Sequence, residues 1–468
     1  MLPDDVLLEI FDLVIKDLSR YSYIIPSWEN LAHVCRRWRP IILGSPQRLH
    51  LRIVCSSRTH TRTSLNIWPP FLIVIRCNPW DIIREGCEEN IIAALEQHAR
   101  ISEIRFHVPG LVFPRFASAI QDPLPALTRL DLVSAAATAV LPETFLGCGS
   151  APRLRSLSFN GISFSAIPKL LLCANDLVYL YLVAIPHSGY VSPEVMATCL
   201  SAMTRLESLR LEFESPRSRP EKASRHSPPQ TPAVLPVLTN FRFKGVSEYL
   251  EELVARIDAP QLDRVWIKFF NQLIFDLVQL PRFIGRAEML KPFNQVNVMF
   301  HDDYVDVAVF PSQTSKAHDN SLHMIISCRE SEWQLSSLTQ ICKSSLPPFS
   351  ALESLYVRKN EYSPAWQDDM KDTQWLELLY PFAGVKNLYL GKDIALHVAF
   401  ALQGFAEERV TEVLPALQNL FFQGLQSPGP IQEAIEQFVI ARQLSGCPVT
   451  VHNWERKDGL EHLNWSGR

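Results

Sequence analysis

Leu177-Val178-Tyr179-Leu180-Tyr181-Leu182 runs apolar, two variable, apolar, one variable, apolar. The same spacing recurs at Ile101/Ile104/Phe106, Leu127/Leu130/Leu132, Leu154/Leu157/Phe159, Leu206/Leu209/Leu211, Leu238/Phe241/Phe243, Leu262/Val265/Ile267, Phe293/Val296/Val298, Leu352/Leu355/Val357, Val385/Leu388/Leu390 and Leu417/Leu420/Phe422. Alternate residues of a strand face opposite sides, so the last two apolar residues of each block share one buried face. The blocks follow one another at similar intervals, except that the step from Phe293 to Leu352 is close to two units. That long step predicts a degenerate block near Leu322 to Ile326.

Helical spacing fills the intervals, as at Val195/Cys199/Met203, Leu250/Leu253/Val254/Ile257, Trp375/Leu378/Leu379/Phe382 and Ile435/Phe438/Val439. A short strand and a helix repeating every ~20 to 30 residues predict an α/β fold: a leucine-rich-repeat-like solenoid with a parallel sheet and outer helices, over residues 101–468. A compact α/β domain is the competing expectation. Three places beyond the last apolar residue, where a regular repeat carries Asn or Cys, stand Ala135, Ile185, Glu214, Asp393 and Leu425. The array is therefore expected to be irregular, without an asparagine ladder. Ser215 to Pro232 holds five prolines and almost no apolar residue, which predicts a disordered insertion between two repeats. Its Ser227-Pro228 and Thr231-Pro232 suit proline-directed kinases.

Residues 49–100 are expected to cap the solenoid with two strands and a helix. Leu49, Leu51, Ile53 and Cys55 alternate, Phe71 to Ile75 is an unbroken apolar run, and Cys87 to Ala99 has helical spacing. Residues 1–48 read as two short helices. Pro3, Asp4 and Asp5 suit a helix start, because proline gives up an N–H unpaired there and carboxylates favour the positive dipole end. Leu7, Ile10, Phe11 and Val14 follow at helical spacing, and after a spacer come Leu31, Val34, Cys35 and Trp38, with Arg36, Arg37 and Arg39 opposite and Pro40 expected to stop the helix. Two helices of this size cannot bury a core between them, so their apolar surface needs a partner.

Leu2-Pro3-Asp4-Asp5-Val6-Leu7-Leu8-Glu9-Ile10-Phe11, followed by Trp28-Glu29-Asn30-Leu31-Ala32-His33-Val34-Cys35-Arg36-Arg37-Trp38, resembles the F-box of the large leucine-rich-repeat F-box families of mushroom-forming fungi. The resemblance is tight over these N-terminal stretches and covers the rest of the chain in organisation only. It implies a substrate-recognition subunit of a Skp–cullin–F-box ubiquitin ligase. Leu2, Pro3, Leu7, Ile10, Phe11, Leu31, Val34, Cys35 and Trp38 would contact the Skp-type adaptor, which links the chain to a cullin, and the repeats would capture a target protein. No catalytic residue is implied, since such a subunit works by proximity. A repeat scaffold without a ubiquitin role, its N-terminal helices merely capping the array, is the alternative.

At 468 residues, 47% hydrophobic and 20% charged, the chain can bury a large core unaided, and wholesale disorder or a fibrous state is excluded. A net charge of −4 carries no polyanion-binding bias and disfavours nucleic acid as a partner. Proline (34) outnumbers glycine (17) two to one, leaving few phosphate-cradling loops. The first residues lack a signal peptide's basic start and apolar core, and no apolar run approaches the ~18 residues that span a bilayer. With ten scattered cysteines expected to be reduced, a cytoplasmic or nuclear protein follows. Gly161-Ile162-Ser163-Phe164-Ser165 lacks the second glycine of a nucleophile elbow, and His301, Asp302, Asp303 and Asp306 fall on opposite faces of a strand-like stretch. No metal site, cofactor or catalytic group is expected.

The surface with content is the one facing away from the helices. Between the last two apolar positions of each block stand Asp131, Ser158, Tyr181, Arg210, Arg242, Trp266, Asn297, Tyr356, Tyr389 and Phe421, half of them aromatic. Lys244, Arg264, Lys268 and Arg358 lie on neighbouring rows. Aromatic and arginine side chains anchor protein interfaces, so Tyr181, Arg210, Arg242, Lys244, Arg264, Trp266, Lys268, Tyr356 and Tyr389 are the expected target-binding set, with Trp266 ringed by Arg242, Lys244, Arg264 and Lys268.

Overall fold

The computed structural model describes residues 2–20, 28–56, 61–78, 87–109, 112–120, 122–134, 139–220, 231–272, 274–290, 293–311, 321–328, 330–343, 352–360, 372–404, 411–424 and 429–454. The chain divides into two compact units, Met1–Val191 and Ser192–Arg468. Each is an α/β layer on a mostly parallel sheet.

The first unit runs α1 (Asp4–Arg20), α2 (Trp28–Val34), α3 (Trp38–Leu43), β1 (Arg52–Ser56), α4 (Thr61–Ile67), β2 (Leu72–Cys77), α5 (Cys87–Leu95), β3 (Ile101–Val108), α6 (Phe113–Ala119), β4 (Arg129–Ser134), β5 (Ala139–Val140), β6 (Ser156–Asn160), β7 (Ile162–Ser163), α7 (Ile167–Cys173) and β8 (Tyr179–Ile185). Its sheet is wholly parallel, β1-β2-β3-β4-β6-β8, with β5 and β7 pairing apart.

The second runs α8 (Pro193–Ser201), β9 (Ser208–Phe213), β10 (Ala233–Val234), β11 (Asn240–Gly245), α9 (Ser247–Val254), β12 (Ile257–Asp258), β13 (Arg264–Phe269), α10 (Gln279–Arg286), β14 (Phe293–Phe300), β15 (Tyr304–Pro311), β16 (Ser321–Ser327), α11 (Ser331–Lys343), β17 (Ser354–Lys359), α12 (Asp372–Leu379), β18 (Asn387–Leu390), α13 (Lys392–Gln403), β19 (Asn419–Gln423), α14 (Pro430–Leu444) and β20 (Thr450–Trp454). Its sheet is ordered β9-β11-β13-β16-β15-β14-β17-β18-β19-β20, parallel except where β15 runs against both neighbours.

Every apolar block lies on a strand or its approach, and burial alternates in strands such as β13, which reads exposed, buried, half-buried, buried, half-buried, buried; elsewhere Glu212, Asn297 and Arg358 on the other face are buried as well. The first apolar residue of most blocks sits in the turn before the strand. There Leu177, Leu206, Leu238, Leu262 and Val385 are fully buried, each donating its N–H to the carbonyl three residues earlier (Ala174, Met203, Leu235, Ala259, Phe382) at 3.1 to 3.4 Å. Those earlier residues are buried too, so the motif holds a fourth apolar position that the sequence reading did not include. Parallel strands laid down in order require crossovers of one hand, which puts the helices on one face of each sheet. The half-buried positions form the opposite, open face.

Several expectations are corrected. The second N-terminal helix ends at Val34, and Pro40 is the third residue of a further helix, α3, where its missing N–H costs nothing because the first turn has no intrahelical acceptor for it. The degenerate block near Leu322 is a strand, β16, but in the sheet it precedes the Phe293 strand, because β14 and β15 form a hairpin that doubles back. His301 donates its N–H to the Tyr304 carbonyl (2.9 Å), so Asp302 and Asp303 lie in the bend of that hairpin rather than in a strand. Cys148 and Cys173 are joined by a disulfide, with Cα atoms 5.5 Å apart; the packing of α7 beside the approach to β6 brings together two cysteines that spacing alone did not pair. The expected insertion is also narrower. Ser218 is buried and Arg219 reaches Glu248 (3.9 Å), while 221–230, with Ser227, lie outside the described residues.

Candidate functional site

The N-terminal helices divide their apolar residues between two directions. Phe11, Leu7, Leu8, Trp28 and Ala32 turn inward. Phe11 meets Trp38 edge-on (ring centroids 4.8 Å), while Trp28 donates its indole N–H to the Arg52 carbonyl (2.8 Å) and packs on Trp68 and Phe71. Arg37 ties the chain start to the turn after α2, donating to the Leu2 carbonyl (2.6 Å) and pairing with Asp4 (2.7 Å). Val6, Ile10, Leu13 and Val14, at i, i+4, i+7 and i+8, point outward with Leu2 and Val34; Leu13 is 67% exposed and Val34 59%. Of the expected adaptor contacts, then, Leu2, Pro3, Ile10, Val34 and Cys35 are on the surface, Leu31 and Trp38 are half-buried, and Leu7 and Phe11 belong to the core. They are buried because a three-helix unit needs an interior of its own. The sequence reading missed Val6 and Leu13, which the i, i+4, i+7 pattern from Val6 would have supplied.

The open face of the second unit carries two patches. At one, Arg242 lies directly opposite Trp266 and Lys244 opposite Lys268. The Arg242 guanidinium sits over the Trp266 ring at 4.8 Å, a cation–π contact. The expected ring of four cations is looser than that: Lys244 covers Phe270 (5.4 Å), Lys268 covers Tyr304 (5.5 Å), and Arg264 leans to Asp263 (3.4 Å). Burial, then Lys268, lowers the Lys244 pKa. Arg210 is engaged by Glu212 (2.6 Å) on its own strand. Tyr181 lies in the first unit, on β8, so the set does not form one surface within one unit.

At the other patch, Tyr356, Tyr389 and Phe421 occupy the same position on three successive strands and stack face to face, with centroids 4.2 Å apart and planes within 4° and 6°. His452 continues the column at 4.9 Å, and Trp454 closes its side, edge-on to Tyr389 at 5.6 Å. In-register parallel strands ~4.8 Å apart impose this geometry. Beside it Ser354, Asn387, Asn419 and Thr450 form a hydrogen-bonded row, Asn419 to Asn387 at 2.8 Å and Thr450 to Asn419 at 2.6 Å. This amide row lies at a place other than the one where regular repeats carry theirs. Burial, then the neighbouring Tyr389, pushes the Tyr356 phenol well up.

Chemistry is sparse elsewhere. Ser163 is buried in β7. Among the described residues, no group of three or more His, Cys, Asp or Glu side chains is placed to hold a metal ion. A cavity of about 360 Å³ beside the β14–β15 bend is lined by Asn271, Asp303, Ser327, Cys328, Glu330 and Trp333, and burial pushes the Cys328 thiol up, away from thiolate chemistry. No described helix is long and apolar enough to cross a membrane. No protein-family model matches the chain, and no curated protein matches it either.

Proposed function

We propose that the chain is the substrate-recognition subunit of a Skp–cullin–F-box ubiquitin ligase working in the cytoplasm or nucleus, with residues 1–48 an F-box, 49–100 a cap and 101–468 an irregular leucine-rich-repeat-like solenoid. The observation that carries the reading is the outward apolar strip of Leu2, Val6, Ile10, Leu13, Val14 and Val34. Four of these, Val6, Ile10, Leu13 and Val14, share one face of α1, and a run of exposed large apolar side chains on one helix face suits a protein partner. The Skp-type adaptor is that partner, and through it a cullin. The target protein docks on the open face of the second unit, where the Arg242–Trp266 pair offers an apolar anchor beside cations. The chain performs no bond chemistry; it holds the target near a charged ubiquitin-conjugating enzyme.

Co-purification with a purified Skp-type adaptor tests the reading. Ile10→Asp with Leu13→Asp should abolish it while circular dichroism stays unchanged, since both side chains are on the surface. Undiminished adaptor binding by that variant refutes the F-box assignment. The second reading, a scaffold whose N-terminal helices only cap the array, draws on the Trp28 bond to the Arg52 carbonyl, which fastens α2 to the first strand. It requires the wild-type chain to ignore the adaptor altogether.

A further inference from the structure

The open face of the first unit crowds arginines. Arg76 on β2 lies directly opposite Arg105 on β3, and Arg129 on β4 lies opposite Glu103, diagonal to Arg105. Arg52 reaches across from β1 to Glu103. Four guanidiniums thus share a patch with two carboxylates, Glu103 and Asp131, which leaves a surplus of two positive charges. Glu103 is fully used: it accepts from both Arg52 and Arg105 (the latter at 2.6 Å). Burial pushes its carboxyl up, and the two arginines outweigh that, leaving it below its ordinary value. Asp131 approaches Arg129 only to 3.9 Å, beyond hydrogen-bond distance.

Three donors of the patch lack acceptors. The Nε atoms of Arg76, Arg105 and Arg129 are each buried without a hydrogen-bond acceptor among the described residues. Like charges packed side by side, with donors desolvated and unmatched, are costly unless something supplies acceptors and negative charge. The cost is visible at Arg76, whose pKa is lowered by burial and then by Arg105 and Arg129. The heads still meet solvent: the Arg105 side chain is 33% exposed and that of Arg129 42%.

We propose that Arg76, Arg105 and Arg129 bind a phosphoryl group. A phosphate dianion matches the surplus of two charges, and its oxygens accept the paired N–H bonds that a guanidinium edge presents. A single carboxylate would leave half the surplus. A nucleic-acid backbone would need a stripe of cations along its path, whereas this cluster stops at β4: β6 and β8 continue the face with Ser156, Ser158, Tyr179 and Tyr181. The site is separate from the adaptor surface and stands whether or not the chain binds an adaptor.

Calorimetric titration of the full chain tests it with inorganic phosphate, a phosphothreonine peptide, its unphosphorylated twin and a single-stranded oligonucleotide. Phosphate and the phosphopeptide should bind, the plain peptide should not, and Arg76→Gln should weaken both at least tenfold, while Arg153→Gln, an exposed arginine in the turn before β6, changes nothing. Phosphate should raise the wild-type melting temperature and leave that of Arg76→Gln in place. Arg129→Gln serves as the second variant if Arg76→Gln folds poorly. A phosphopeptide at least tenfold tighter than free phosphate assigns the group to a partner's modified side chain; equal affinity assigns it to a small phosphate. Absence of phosphate binding by the wild type, equal binding by the wild type and both glutamine variants, or oligonucleotide binding that falls as much with Arg153→Gln as with Arg76→Gln would each overturn the proposal.

Discussion

Tyr389→Ala should cost the protein stability before it costs it a partner. The ring is clasped by Tyr356 and Phe421, both at 4.2 Å and nearly coplanar, and by the edge of Trp454 at 5.6 Å. Each aromatic contact is worth ~0.5 to 1.5 kcal/mol beyond area burial, so the two stacks supply about 1 to 3 kcal/mol. A half-buried tyrosine adds about 1 kcal/mol of transfer energy, giving a loss of ~2 to 4 kcal/mol. Urea unfolding followed by tryptophan fluorescence reports directly, because Trp454 flanks the column. A double-mutant cycle with Tyr356→Ala should return a coupling of about 1 kcal/mol. The control is Tyr179→Ala: that ring is 40% exposed, and it meets Tyr181 tilted at 6.3 Å rather than stacked. If Tyr389→Ala costs no more than Tyr179→Ala, the column is not a structural stack, and its rings are available to a bound partner as the sequence reading expected.

Asp306 faces the open side of β15 with its Oδ1 buried and unmatched, and burial pushes its pKa up from 3.8 to about 7. The unfolded chain therefore loses this proton first, and stability should fall as pH rises from about 4 to about 7; Asp306→Asn should flatten that slope and gain on the order of 2 to 4 kcal/mol at pH 8, whereas parallel urea midpoints at pH 5 and pH 8 would contradict the burial. Cys148→Ser opens a loop with a sequence separation of 25 and should cost about 3 kcal/mol under oxidising conditions. Under reductant the variant and wild type should melt together, and a persisting gap would show the serine itself to be at fault. Trp266→Ala should weaken target capture by ~2 kcal/mol, read by proximity labelling, with Arg242→Ala making capture less salt-dependent; identical labelled sets would move the capture surface elsewhere.

Most of the strand pattern was legible because it depends on a local rule: Leu180 and Leu182, or Leu388 and Leu390, are buried by alternation alone. What the pattern could not convey was order in space. The spacing of Phe293/Val296/Val298 is indistinguishable from its neighbours', yet that strand lies three places beyond β13, since nothing local distinguishes a crossover from a hairpin that returns. Buried turn positions such as Ala174, Leu235 and Ala259 carry no periodic signal, because each is a single position in the turn before a strand. At the N-terminus helical spacing found α1 and α2 but ran α2 on into the separate α3; which of Leu7 and Ile10 faces inward depends on where Trp38 sits, and its contact with Phe11 joins two different helices. The aromatic row was legible as a row; its stacking was not, because register between repeats is a tertiary property.

The returning hairpin also bears on how the second unit assembles. Where strands follow one another, partners are close along the chain: Asn240 meets Arg264, and Leu388 meets Leu420, each a single repeat further on. Around the hairpin Arg264 meets Ser321, and Gln295 meets Ser354, each about two repeats further on. An ordinary repeat array grows by adding one neighbour at a time, so it can nucleate anywhere and fray from either end. Here growth from β9 toward β13 has no next strand to add until β16 arrives, and β16 brings β15 and β14 with it. Loop closure over twice the usual length must precede any reward, which raises contact order at this point and slows it relative to the flanks. The two flanks are thereby made separate nuclei joined by one late event, and no single strand-and-helix segment between β13 and β17 can be deleted without leaving an edge unpaired.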